Sequence, residues 1–183
     1  MGVVTRPTRA ELDAARDRTI PDVIAPGLAV LFCGINPSLY SAATGRHFAR
    51  PGNRFWPALH LSGFTPRLLG PQEQDLLPGF GLGVTNLVAR ATARADELSP
   101  AELVSGGERL RALVEEYRPR VVAVVGVTAY RVAFGMPDAR VGARPETVGP
   151  AAVWVLPNPS GLNAHYQLPE LAAEFRVLRQ SME

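Results

Sequence analysis

Three short apolar runs do most to limit what this chain can fold into. Leu28-Ala29-Val30-Leu31-Phe32-Cys33 stops at Gly34, Val121-Val122-Ala123-Val124-Val125 stops at Gly126, and Val153-Trp154-Val155-Leu156 stops at Pro157-Asn158. None alternates polar with apolar residues, so each reads as a strand covered on both faces. Leu82-Gly83-Val84-Thr85 reads as a briefer one. Strands of this kind need a helix layer above and below, and the intervening segments carry helical patterns.

Thr8-Arg9-Ala10-Glu11 is a capping-box pattern that opens a helix ending before Pro21. Asn53 to Ser62 has helical spacing with Phe55, Leu59 and Trp56 facing inward, and Pro71 to Leu77 reads as a shorter helix. Ser99-Pro100-Ala101-Glu102 is a second capping box, followed by Leu103, Leu110, Leu113, Val114 and Tyr117 on one face. Leu168, Leu171, Phe175, Leu178 and Met182 mark a closing helix. The expected class is α/β, a three-layer α/β/α sandwich with a short, mainly parallel central sheet, because right-handed crossovers put helices on both faces. At 183 residues, and with about 150 residues per domain as a guide, one domain is expected over 1–183. Its first 27 residues form a helical extension and 28–183 the core.

Composition removes several classes of function. No apolar run approaches the roughly 18 residues that span a bilayer, and Met1 to Arg6 lacks the apolar stretch of a secretory signal. Cys33 is the sole cysteine, so no intramolecular disulfide, cysteine-ligated zinc or iron–sulfur cluster is available. All 19 basic residues are arginine, against 17 acidic ones. A net charge of +2 with pI near 9.1 suits a polyanionic partner without demanding one. With no lysine, no side-chain amine can form a Schiff base, and no Walker A motif exists. Gly79-Phe80-Gly81-Leu82-Gly83 lacks a preceding strand and reads as a turn, and no G-x-S-x-G elbow is present. His47, His60 and His165 are too dispersed for a zinc site and read as surface or structural residues. Neither a metal nor an organic cofactor is expected.

In open parallel sheets, ligands bind beyond the carboxyl ends of the strands. Three unusual loops follow those ends: Gly34-Ile35-Asn36-Pro37-Ser38, the stretch at Asn86, and Asn158-Pro159-Ser160-Gly161-Leu162-Asn163. They should converge on one crevice rich in Asn, Gly, Pro and an aromatic ring. Such a crevice can orient a water, donate main-chain hydrogen bonds and stack a flat ring, but it lacks a strong acid or base. The reaction it serves should have a good leaving group.

The same loops carry a family likeness. Gly34-Ile35-Asn36-Pro37-Ser38-Leu39, Phe48-Ala49-Arg50-Pro51-Gly52-Asn53-Arg54-Phe55-Trp56 and Asn158-Pro159-Ser160-Gly161-Leu162 resemble, in order and separation, the motifs of mismatch-specific uracil-DNA glycosylases, the family that includes thymine-DNA glycosylases. The likeness runs from about Leu28 to the C-terminus and also touches Gly63-Phe64-Thr65 and Gly83-Val84-Thr85. It implies a monofunctional repair hydrolase that flips uracil, or a related base such as ethenocytosine or thymine, out of double-stranded DNA opposite guanine and leaves an abasic site.

By the same likeness Asn36 is the catalytic residue that positions the attacking water, and Gly34, Ile35, Ser41 and Phe48 form the base pocket. Phe48 would stack on uracil, N–H groups near Ile35 and Phe48 would meet its oxygens, and Ser41 would lie near its C5 position. Asn158, Pro159, Ser160, Gly161, Leu162 and Asn163 would form the wedge, with Leu162 filling the vacated stack and neighbouring main chain reading the guanine. Arg46, Arg50 and Arg54 are the expected phosphate contacts. Asn158 stands where classical uracil-DNA glycosylases have histidine. Asn86 and Ala164 depart from a lysine and an arginine found in some relatives, so the roles of those positions do not carry over. The implied partner is mismatched duplex DNA, with no membrane and no metal, for a cytoplasmic, nucleoid-associated monomer. Two alternatives stay open: a non-catalytic mismatch- or lesion-binding module with the same pocket and wedge, and a small-molecule α/β enzyme using the same crevice.

Overall fold

The structure is a computed structural model that describes residues 5–183; Met1 to Val4, part of the segment read for a secretory signal, lie outside the described residues. A five-stranded sheet runs in the order β2-β1-β3-β5-β4. Its strands are β1 (Val30–Gly34), β2 (Leu82–Asn86), β3 (Val121–Val125), β4 (Gly142–Val148) and β5 (Ala151–Leu156). All neighbours are parallel except β4, which is antiparallel to β5. Helices cover both faces, so the α/β sandwich expected from the apolar runs is the observed fold.

The helices are α1 (Arg9–Ala14), α2 (Leu39–Thr44), α3 (Phe55–Leu61), α4 (Pro100–Tyr117), α5 (Val127–Phe134) and α6 (Leu168–Ser181), with a 3-10 stretch over Pro71–Phe80 and a 3-10 turn at Ala95–Glu97. Alternate side chains of the strands feed two cores, as the pleat requires. Phe32, Val84, Ala123 and Val125 pack on one side with Phe55, Leu59, Phe175 and Leu178 of α3 and α6. Leu31, Cys33, Val122, Val124 and Val155 pack on the other with Leu110, Val114, Ala129 and Tyr130 of α4 and α5.

Both capping boxes form. Thr8 accepts from Glu11 N–H while Glu11 accepts from Thr8 N–H, and Ser99 and Glu102 do the same for α4. The first helix is shorter than its pattern suggests. It stops at Ala14 because Asp17 takes a left-handed conformation and Ala91 captures its N–H, pulling the chain back over the sheet end.

Three elements escape the sequence reading. Six-residue α2 sits inside what reads as a long loop, and α5 follows β3 after a single glycine. Strand β4 is an edge strand with Pro145 inside it and a register break between Arg144 and Thr147, features that speak against a strand. It is held by its antiparallel ladder to β5 and, across to α5, by Glu146, which accepts from Tyr130 Oη; Arg144 Nε, on the same strand, donates to Glu146 at 2.8 Å.

Register decides where the chemistry collects. Gly34 lies opposite Asn86, Cys33 opposite Val124, and Val125 opposite Leu156. The four parallel strands therefore release their chain at one edge of the sheet, and the loops after β1, β2 and β5 emerge side by side.

Candidate active site

Those loops enclose a cleft of about 350 Å³ lined by Ile35, Asn36, Ser38, Ser41, His47, Phe48, Arg50, Asn53, Asn86, Thr92, Asn158, Pro159, Ser160 and Leu162, with Ile20 and Ala93 to Asp96 along one side. Residues from three separate motifs thus share one wall-to-wall site. Gly161 and Asn163 belong to the loop beside it, and Gly34, expected in the pocket, is not among the residues lining the cleft but lies directly against two that are, Phe48 and Asn86.

Asn36 is held by its amide nitrogen. Nδ2 donates to Arg90 O at 3.0 Å and to Thr92 Oγ1 at 2.8 Å, and Thr92 Oγ1 in turn donates to Arg94 O at 2.7 Å. A carbonyl can only accept, so the amide orientation is dictated and both of its hydrogens are occupied. Only Oδ1, an acceptor, remains for anything in the cleft.

The segment that grips Asn36 is itself anchored. Thr92 N–H donates to Pro37 O, and Arg18 O accepts from Ala91 N–H. The Arg90 guanidinium reaches Glu102 at 2.6 and 3.1 Å and Asp17 at 3.1 Å. Hydrogen bonds from Arg90 and from Ser99 N–H hold the Glu102 carboxyl at about 2. The residue that caps α4 therefore also fixes the loop that orients Asn36.

Phe48 adopts a left-handed backbone, φ 51°, which costs a residue with a Cβ about 1–3 kcal/mol and is found where a site needs it. One face of its ring stacks on Phe55, with centroids 4.1 Å apart and planes 23° from parallel. Its edge approaches Gly34, where an added Cβ would sit 3.3 Å from Cζ. Among the described residues, neither Ile35 nor Phe48 donates its main-chain N–H to a protein acceptor. Ser41 is buried behind them, its Oγ accepting from Ala49 N–H and from Ser38 Oγ, each at 3.1 Å.

Of the two roles the sequence leaves open for His47, the structure selects the buried one and adds a place on the cleft wall. Its dispersal from the other histidines suggests a surface or structural role, and it is 2% exposed and lines the cleft. Nε2 lies 2.8 Å from Pro21 O, so that nitrogen carries the proton and Nδ1 keeps its lone pair. Burial lowers its pKa, which favours the neutral ring. Asn86 Nδ2 lies 3.5 Å from Nδ1, which directs Asn86 Oδ1 toward Gly34. Being next to the Phe48 ring motif is the only signal the sequence carries for His47. Cys33, one residue before Gly34, is fully buried, and burial pushes its thiol far up, so it is no nucleophile.

The hairpin after β5 is built from its own polar side chains. Asn158 Oδ1 accepts from Ser160 N–H at 3.0 Å, Ser160 Oγ from Leu162 N–H at 3.2 Å, and Asn163 Nδ2 donates to Asn158 O at 3.0 Å. At its tip Leu162 is 75% exposed. An apolar side chain so presented on a polar turn, at the lip of a cleft, contributes nothing to the core.

The three arginines expected at phosphates differ in their surroundings. Arg50 is exposed on the cleft wall. Arg46 lies 3.9 Å from the exposed Asp75, a weak pairing. Arg54 is turned inward: Nη1 donates to Asn163 O and Tyr166 O, and Nη2 to Gly161 O and Gln167 Oε1. Its donors face the hairpin and not an outside anion.

A sheet whose parallel strands end at an Asn- and aromatic-lined cleft defines an α/β protein with a cleft at the carboxyl edge. The profile of the uracil DNA glycosylase superfamily matches residues 21–181, and the chain belongs to that superfamily. The solution NMR structure of a candidate uracil DNA glycosylase from Methanosarcina acetivorans is similar with a TM-score of 0.56 at 20% identity, over 89% of this chain and 98% of that one. That likeness is one of fold. Helix α1 precedes the region the family profile covers.

Proposed function

We propose that the protein is a monofunctional DNA glycosylase that hydrolyses the N-glycosidic bond of a uracil flipped from double-stranded DNA opposite guanine, with ethenocytosine and thymine as candidate further substrates. The observation that carries this reading is the orientation of Asn36. With both amide hydrogens given to Arg90 O and Thr92 Oγ1, its Oδ1 accepts a hydrogen from a water and points that water's lone pair at the anomeric carbon. An amide orients a nucleophile without deprotonating it, so the base must leave readily as an anion and the sugar must become oxocarbenium-like before attack.

The remaining groups serve that departure. Phe48, backed by Phe55, stacks on the extruded ring, and the N–H groups of Ile35 and Phe48 meet the uracil oxygens as negative charge grows there. Asn86 Oδ1 accepts from the N3–H of the base, a donor that cytosine lacks. Ser41 lies along the C5 edge, where it disfavours a methyl group. Leu162 enters the stack that the base leaves, and the main chain of Asn158 to Asn163 reads the unpaired guanine. Flipping costs a few kcal/mol and least at a mismatch, so uracil opposite guanine is sampled in preference to uracil opposite adenine.

The test uses labelled duplexes with uracil opposite guanine, uracil opposite adenine or thymine opposite guanine, each followed by alkaline cleavage of abasic sites. Uracil release should be fastest opposite guanine. Asn36→Ala should keep mismatch binding and lose release by about 10²- to 10⁴-fold, the range for a positioned catalytic group. Binding by the unaltered protein without release of any base would instead make it a lesion-binding module.

A further inference from the structure

Arg54 is half-buried and fully hydrogen-bonded through Nη1 and Nη2 at the junction of two loops. Its main-chain N–H donates to Pro159 O at 2.9 Å, and four guanidinium N–H groups reach the hairpin at Asn163 O (3.2 Å), Tyr166 O (2.7 Å), Gly161 O (3.2 Å) and Gln167 Oε1 (3.2 Å). The tip of the hairpin is exposed at Leu162, and beside it Gly161 packs closely on the main chain of Gly52, where a Cβ would stand 2.7 Å from Gly52 O. A planar fork of donors suits several carbonyls spread along a turn, a geometry that a single ammonium cannot match.

Position in the chain makes this more than local bracing. The next residue, Phe55, is the ring on which Phe48 stacks. Adjacent residues at the start of α3 therefore hold the hairpin through one side chain and back the aromatic slot through the other. A loop must be ordered before it can push an apolar side chain between bases, and ordering it at each encounter would draw on the binding energy.

From this we infer that Arg54 is a positioning residue that locks the Leu162 hairpin to the base slot as one rigid unit, so that wedge insertion and base capture occur in fixed register. The inference rests on the glycosylase reading and assigns Arg54 to the opening of paired DNA, with no part in bond cleavage. Its dependence is accordingly on the pair to be opened.

The experiment compares the unaltered protein, Arg54→Gln and Arg54→Lys in single-turnover release of uracil from two duplexes of one sequence. In one, uracil faces guanine; in the other it faces an abasic analogue and has no partner to leave. Arg54→Gln should slow the first by about tenfold or more and the second by less than about threefold, with Arg54→Lys between them. In the DNA-free protein, Arg54→Gln should speed amide hydrogen exchange at Leu162, Asn163 and His165. The salt slope of DNA binding should stay unchanged, whereas loss of a phosphate contact would lower it by about one. Equal slowing on both duplexes, unchanged exchange in the hairpin, or a reduced salt slope would each overturn the inference. If the unaltered protein releases no uracil from either duplex, the glycosylase reading fails, and the exchange measurement alone still decides whether Arg54 holds the hairpin.

Discussion

Gly34 shows how a single hydrogen in place of a methyl group shapes the site. A Cβ there would lie 2.5 Å from Asn86 Oδ1 and 3.3 Å from Phe48 Cζ, crowding two side chains that line the cleft. Gly34→Ala should lower the Tm, since the extended backbone accepts a Cβ but the overpacking against Asn86 and Phe48 costs about 1–3 kcal/mol, and should reduce uracil release by the folded protein at least about tenfold, equivalent to about 1.4 kcal/mol of barrier. Parallel Tm and release measurements check this, and undiminished release would show that neither Asn86 nor Phe48 contacts a bound base. At this scale the legible residues were those inside motifs, such as Asn36, Phe48 and Leu162. Thr92, Arg90, His47 and Asn86 were not legible in their roles, because each acts through a partner remote in sequence: Thr92 lies 56 positions from the amide it holds.

Among the elements, α6 and α3 bear the aromatic cluster on which the slot rests. Phe175 stacks on Phe32 at 5.7 Å and meets Phe55 edge-on at 6.1 Å, fully buried. Phe175→Ala should cost about 3–5 kcal/mol of stability, as large-to-small core changes of this kind do. Urea unfolding checks it: the midpoint should fall with the m-value unchanged. The strands facing helices on both sides were readable because their apolar runs are continuous. Strand β4 was hidden by Arg144, Pro145 and Glu146, which an edge position tolerates and a central one forbids. Helix α5 was hidden because its eight residues form only about two turns, too few to establish a period.

Acid should unsettle the molecule as a whole. His47 is kept neutral by burial, its pKa below the ordinary 6.5, so the unfolded chain takes up a proton that the folded one refuses as the pH drops below 6.5. Glu102, held at about 2 against an ordinary 4.5, adds a second loss as the pH falls from 4.5 toward 2. Both act in the same direction, so Tm should be level above neutrality, begin to decline near pH 6.5 and steepen below pH 4.5. A Tm that rises on acidification through that range would contradict the assigned environments of both groups. From the sequence alone came the class of fold and the end of the sheet where the cleft opens, because burial on two faces and the residues that terminate a strand are local properties of the chain. Strand order, the shared grip on Asn36, the neutral His47 against Asn86 and the inward turn of Arg54 came only from the tertiary structure. Each of these is a contact between segments far apart in the chain, and the pattern within either segment does not reveal which partner it will meet.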